Sequence, residues 1–391
     1  MRKGPSHLRG AARSHRRVDV GDERDEPGLK ATYGPQRGSP GNQDMSRVDV
    51  VIPCYNYGRY LTESVSSVLD DQPGSDVRVL IIDDASRDDS AEVARKLAAS
   101  DSRVAVAVHP VNKGAVPTYN EGLLEWASGD YCLLISADDK LTPGALRRAT
   151  DFLDEYPGVG FVFGNIVRFT GDEDEPQPAR LAARRQRVYP GHRWLERRFK
   201  ECVNRVAAPA VVVRTPLQHR VGGYNPLLPH TGDAEMWMRL AAHADVGYID
   251  ADQAFYRRHG SNMSHELDDY VVRYRQWLAA YEAVLTYCDR VLPDVASLSR
   301  SAHRLLAHEA LWVAVRAYDR RRTGWVPVDD LVAFAFECWP DTASLGIYRT
   351  LQLRRSIGPQ VMPYLQPLVL SAVRREVRDA YRRYSWARQG I

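Results

Sequence analysis

Apolar residues in the first two thirds of the chain come in short runs, separated by segments with helical spacing. Residues 48–53 (VDVVIP), 77–82 (VRVLII), 104–108 (VAVAV), 131–136 (YCLLIS), 159–169 and 210–213 are mostly apolar and short, the pattern of strands covered on both faces. Between them, Leu61, Val65, Val68 and Leu69 mark one face of a helix. Ser86 and residues 88–90 offer caps for a second helix running to Ala98, and a third spans about 117–127. Pro143 suits the first turn of a fourth, and residues 233–243 suit a further one. Alternating strands and helices predict an α/β fold with a doubly wound, mostly parallel sheet. Residues 171–187, charged and containing proline, read as a mobile loop. From about Leu267 the chain reads as helical, with breaks at Pro293, Pro327, Pro340 and Pro359. No internal repeat is visible.

This pattern divides the chain into residues 1–46, a disordered tail rich in Arg, Gly, Pro and His; 47–265, a Rossmann-like domain; and 266–391, a helical C-terminal subdomain. Met45, immediately before the first strand, is an expected alternative start, which would make residues 1–44 dispensable.

Composition narrows the classes. The 391 residues are 44% hydrophobic, ample for a core, and 53 basic residues nearly cancel 50 acidic ones. Nucleic acid is not an expected partner, because it calls for a concentrated basic face. Five scattered cysteines without a CxxC pair read as reduced thiols, neither a disulfide framework nor a zinc site. No apolar stretch approaches a membrane span and no secretory core opens the chain, so a cytoplasmic protein is expected. The basic, aromatic stretch at 372–390 reads as a solvated helix face, with weak contact to an anionic membrane as the second reading.

Ligands of open parallel sheets bind beyond the carboxyl ends of the strands. Here Tyr55 and Asn56 follow the first strand, Asp83 and Asp84 the second, Asn112 and Lys113 the third, Asp138 and Asp139 the fourth. The adjacent carboxylates of Asp138 and Asp139 repel unless a cation such as Mg²⁺ or Mn²⁺ neutralises them. Capping of the following helix is an equally good account of that pair, and the better one for an isolated Asp83-Asp84. Tyr55 alone reads as a packing aromatic and Lys113 as a solvated charge.

The ordered series VDVVIPCYNYGRYLTESVSSVL, VLIIDDASRDDS and NKGAVPTYNEGLLEWASGDYCLLISADD resembles the family 2 inverting glycosyltransferases with the GT-A fold, over residues 48–260. The resemblance implies that Pro53, Tyr55 and Asn56 form the nucleotide-binding turn, with the tyrosine stacked on the base. It implies that Asp84, beside Asp83, accepts a hydrogen bond from the base. It also puts Asp138 near the ribose and Asp139 on a divalent metal, Mn²⁺ or Mg²⁺. HTGDAEMWMRL resembles the segment with the catalytic base, making Asp233 the candidate and Glu235 the runner-up. YRRHGSNMS resembles a basic segment that closes over the diphosphate, where His259 reaches the metal or a phosphate oxygen. Relatives often carry arginine where this chain has Tyr119, before Asn120; Lys113, Arg257 or Arg258 would then contact the diphosphate.

The expected activity is transfer of a sugar from a nucleotide-diphosphate sugar to a glycan, lipid carrier, peptide or small natural product. A nicotinamide dehydrogenase would need GxGxxG where CYNYGR stands, and a sugar nucleotidyltransferase a Gly-rich basic loop there. A non-catalytic scaffold that binds nucleotide-sugar would not need both the acid pair and Asp233.

Overall fold

A computed structural model describes residues 46–170, 178–260, 262, 269–289, 292, 294–365 and 380. The tail through Met45, the first part of the 171–187 loop and nearly all of 372–390 lie outside the described residues. In chain order the strands are β1 (Arg47–Cys54), β2 (Asp76–Asp83), β3 (Val104–Val108), β4 (Tyr131–Leu134), β5 (Lys140–Leu141), β6 (Val159–Thr170), β7 (Gln186–Tyr189), β8 (Val211–Arg214) and β9 (Asp245–Arg258). The helices are α1 (Gly58–Leu69), α2 (Ser90–Ser100), α3 (Ala115–Asn120), α4 (Ala145–Glu155), α5 (Gly191–Arg198), α6 (Thr215–Val221) and α7 (Gly232–Ala241), followed by α8 (Tyr270–Cys288), α9 (Val295–Asp319), α10 (Val328–Cys338), α11 (Gly346–Ile357) and α12 (Met362–Leu365).

The nine strands form one sheet in the order β3-β2-β1-β4-β8-β6-β9-β5, with β7 paired to β9. Successive residues of β1 and β2 go to opposite faces, as strand geometry requires. Val51, Leu80 and Ile82 enter one core; Val48, Val50, Ile52, Val79 and Ile81 enter the other. Helices α1 and α4 cover the second face through Leu61, Val65, Leu146 and Phe152. Trp194 of α5, Met236 and Trp237 of α7, and Trp277 and Tyr281 of α8 cover the first, in one core that continues through Leu311 of α9 to Leu351 of α11. No disulfide joins the described cysteines.

Asp49, the polar residue inside the β1 run, is fully buried. Its register partner on β2, Arg78, donates to both its oxygens at 2.9 and 2.6 Å, and the backbone N–H groups of Ser128 and Gly129 add two bonds of 2.7 Å. Burial pushes its carboxyl up, but these donors outweigh it and hold the group below the usual carboxylate range.

Two features depart from the sequence reading. The sheet is parallel from β3 to β4, but β8 runs antiparallel to both β4 and β6, so its second half is mixed. The 171–187 loop also ends inside the sheet, since Gln186 and Arg187 belong to β7 and pair with β9.

Candidate active site

The parallel strands β1, β2 and β4 end along one edge, and the acid-bearing turns begin there. After β1, Asn56 adopts φ 59°, the left-handed region that asparagine tolerates. Its N–H donates to Ser86 Oγ at 2.9 Å and its Oδ1 accepts from Arg87 N–H at 2.8 Å, tying the first turn to the second. Tyr55 is left 41% exposed beside it, an uncovered aromatic face. In the second turn Ala85 is left-handed at φ 58°, a conformation that strains a residue with a Cβ. Asp83, buried, accepts from Ser86 N–H at 3.2 Å. Asp84 turns to the β3–α3 loop instead, accepting from the N–H groups of Lys113 at 2.7 Å and Gly114 at 2.8 Å. Neither aspartate caps α2, so the capping account of this pair fails.

His109, which sequence reasoning passed over, is buried beneath that loop. Its Nδ1 lies 2.7 Å from Asp84 and its Nε2 3.0 Å from Glu121, whose Oε2 also receives Lys113 Nζ at 2.7 Å. A single histidine at a strand end carries no pattern that could have flagged it. Lys113 is therefore anchored at both backbone and side chain.

The Asp138-Asp139 turn leads directly into β5, which pairs with the last turn of β9. That pairing brings Arg257 to the acids: its N–H donates to Asp139 Oδ1 at 2.9 Å and its Nε to the Asp138 carbonyl at 3.0 Å. Nη2 binds Glu63 at 2.5 Å, and the guanidinium lies 4.5 Å from the ring centres of Tyr60 and Phe169. Arg257 is thus a buried strut of the turn, which removes it as a diphosphate contact; Arg258 is exposed. His259 Nε2 lies 3.0 Å from Asp138 Oδ2, which Asn262 also reaches at 3.2 Å, and its ring stacks on Tyr60. Neither acid bonds α4, so capping fails here too.

Burial pushes the Asp138 carboxyl up, with His259 opposing. Asp139 is pushed well above the carboxylate range by burial and then by Asp138. Such buried, under-compensated negative charge suits a divalent cation, and carboxylate oxygens suit Mg²⁺ or Mn²⁺. No cluster of three or more acids, histidines or cysteines arranged for a metal occurs among the described residues. These cations take one or two carboxylates and share the rest of their shell with phosphates and water, so the residues fit.

On the other side stands Asp233, in the first turn of α7. Its carboxylate has no hydrogen-bond or ion-pair partner among the described residues, and α7 has no side-chain cap. Burial raises it from 3.8 to about 6. Its charge and that of Asp138 both act on the hydroxyl of Tyr119, whose ionisation is pushed up by burial, then by Asp233, then by Asp138. Both carboxylates therefore lie near Tyr119, which stands where an arginine was expected, as do the hydroxyls of Tyr57 and Tyr256. Asn120 secures that arrangement, accepting from Tyr224 N–H at 2.6 Å and donating to its carbonyl at 2.9 Å. Glu235 is a correction to the sequence reading. It is buried, and Arg239 occupies both its oxygens at 2.6 and 2.8 Å, so it is a strut of α7 with no lone carboxylate for a substrate.

Residues 49–217, the stretch that delivers all four strand ends, match the sequence profile of Glycosyl transferase family 2. They are a family 2 glycosyl transferase domain. Relatives include glycosyltransferase GlyG of Streptococcus pneumoniae serotype 4, 34% identical over 31% of this chain and 40% of that protein. Another is the poly(ribitol-phosphate) beta-N-acetylglucosaminyltransferase TarS of Staphylococcus aureus, 27% identical over 29% of this chain and 20% of TarS. The chain spans about two fifths of the length of the curated relatives it matches. Among solved structures, S. aureus TarS 1–349 in complex with UDP-GlcNAc superposes with a TM-score of 0.54 at 15% identity, covering 81% of this chain and 89% of that one. That likeness extends past the glycosyl transferase domain into the C-terminal helices and supports the GT-A fold.

Proposed function

We propose that this chain transfers a glycosyl group from a nucleoside diphosphate sugar to an acceptor hydroxyl, with inversion at the anomeric carbon. The observation that supports this reading is the lone carboxylate of Asp233, which shares with Asp138 the neighbourhood of Tyr119. Asp233, raised to about 6, is ionised at neutral pH yet basic enough to take the acceptor's proton as the new bond forms. The acceptor oxygen attacks the anomeric carbon from the Asp233 side while the bond to the diphosphate breaks on the acid-pair side. One displacement with base and leaving group on opposite faces inverts the centre, as in inverting hydrolases. Asp139 would hold Mn²⁺ or Mg²⁺ together with the diphosphate, with His259 reaching the metal or a phosphate oxygen and Asp138 near the ribose; the cation would supply neutralising charge to the departing diphosphate. Tyr55 offers its exposed ring to the base, within the turn formed by Pro53 and Asn56. Asp84, held by His109 and the N–H groups of Lys113 and Gly114, offers the remaining lone pair of its Oδ2 to the base edge.

The acceptor belongs to the hydroxyl-bearing classes of glycan, lipid carrier, peptide or small natural product. The donor is found by thermal stabilisation with a panel of UDP-, GDP- and dTDP-sugars, each with and without Mn²⁺. A ligand that binds the folded state raises its stability by mass action. One nucleotide class should raise the melting temperature by several degrees, and more with Mn²⁺. A panel that leaves the melting temperature flat throughout refutes the reading.

A further inference from the structure

We infer that the turn after α9, together with the α12 segment, is a docking surface for a bilayer carrying anionic lipids. Arg320, Arg321 and Arg322 follow one another at the end of α9, and all three are exposed. None pairs with a carboxylate among the described residues. Of the acids flanking the turn, Asp319 is buried against Arg354 at 2.8 Å, and Asp329 is held by Arg355 at 2.6 Å. Only Asp330 remains to oppose three guanidinium groups. Trp325 stands within the same turn, its N–H on the Arg322 carbonyl at 3.0 Å, with its side chain 89% exposed. Tyr364 of α12 is 75% exposed and lies 5.0 Å from the Arg321 guanidinium, which also donates to the Gln360 carbonyl at 3.1 Å. Val361, one turn before Tyr364, is 49% exposed.

The backbone supports a selected surface. Arg321 sits at φ 53° just past α9, where Arg322 N–H bonds the Ala317 carbonyl at 2.8 Å, a helix stop usually made with glycine. An arginine kept in a left-handed conformation keeps its side chain at the cost of strain. Tryptophan, tyrosine and arginine are also enriched at protein interfaces, so the deciding feature is the charge of the patch, three successive guanidinium groups against one acid among the described residues, which favours an anionic surface. Exposed tryptophan and tyrosine beside arginines that have no carboxylate partner match the headgroup layer of a membrane, where aromatic rings settle and arginines meet anionic lipid.

The test is co-sedimentation of the full chain with phosphatidylcholine vesicles, with and without phosphatidylglycerol, at low and high salt. The parent should sediment with the anionic vesicles only, and less at high salt. The variant Arg320→Gln/Arg322→Gln should partition about twenty-fivefold less, at about fivefold per arginine. Trp325→Ser should weaken binding further. Melting temperatures matched to the parent establish that these variants fold, and Arg95→Gln, a change on exposed α2, should bind as the parent does. Three results overturn the proposal: no sedimentation of the parent, equal binding by the double variant, or a lipid-free oligomer that the variant dissociates. The second would assign binding to the arginine-rich sequence beyond Leu365, and the third would make a second copy the occupant.

Discussion

Asp233 and Asp139 carry opposite consequences for stability and for activity. The folded-state value for Asp233, about 6 against 3.8, means that folded protein binds more protons than unfolded protein between those values. Stability attributable to this group therefore falls as pH rises through that window and stays low above it. Asp233→Asn should raise unfolding free energy at neutral pH by about 1–3 kcal/mol and flatten that slope, read from urea melts between pH 4 and 8. Turnover of the parent should rise as pH climbs through about 6, because the base works without its proton. Equal stability of the parent and the asparagine variant across that range would show that the carboxylate is well solvated. Asp139 follows the same logic at a deeper site. Asp139→Ala should fold, lose Mn²⁺-dependent nucleotide binding and abolish turnover; retained Mn²⁺ dependence in calorimetry would strip it of the metal role. At this scale the sequence exposed the acids but not their settings. Asp138-Asp139, Asp84 and Asp233 were found from strand ends and motif order. His109 and Glu121 were not, because a buried bridge between loops distant in sequence leaves no local pattern. Asp233 and Glu235 differ only through Arg239, whose reach across one helical turn decides which carboxylate is left open.

Among the elements, β9 determines most. It is 14 residues long, pairs with β5, β6 and β7, and delivers Arg257 and His259 to the acid turn. Its own sequence, DVGYIDADQAFYRR, mixes acids with apolar residues and so lacks the clean apolar run that marked β1 and β2. The two-residue β5 is too short to carry any signal. Helix α3 shows a related limit: the expected helix over 117–127 breaks into α3 and a π-helical turn, Glu121–Trp126, where Gly122 packs so closely on Val51 that a Cβ would lie 2.3 Å from its methyl. The π turn leaves Tyr119 and Asn120 at the junction, packed on Tyr224. Asn120→Ala removes both bonds to the Tyr224 backbone and unhooks the segment leading to α7. The expected cost is about 1–3 kcal/mol, with a fall in turnover larger than any change in donor affinity. Unchanged kinetics at reduced stability would confine Asn120 to a structural role.

Over the whole molecule, the three-layer arrangement was legible because two-sided burial writes continuous apolar strands, while the mixed half of the sheet was not. Strand direction is decided by which neighbour a strand meets after long excursions, and β8 meets β4 and β6 only in space. The C-terminal helices read correctly as helical, yet their spacing does not announce that α8 and α9 share a core with the sheet through Trp237, Tyr281 and Leu311. No described helix is long and apolar enough to cross a membrane. That shared core packs α7, the helix that carries Asp233, with α8 and α9 through Met236, Trp237 and Leu240. The claim that this arrangement is a glycosyl-transfer site rests on Asp233 acting as a base. It is tested most directly by the rate of nucleoside diphosphate release by Asp233→Asn, using the donor identified by thermal stabilisation. The variant should show the parent's donor- and Mn²⁺-induced shift in melting temperature while losing at least about a hundredfold in turnover. Release at a near-parental rate, with donor binding intact, would contradict the account.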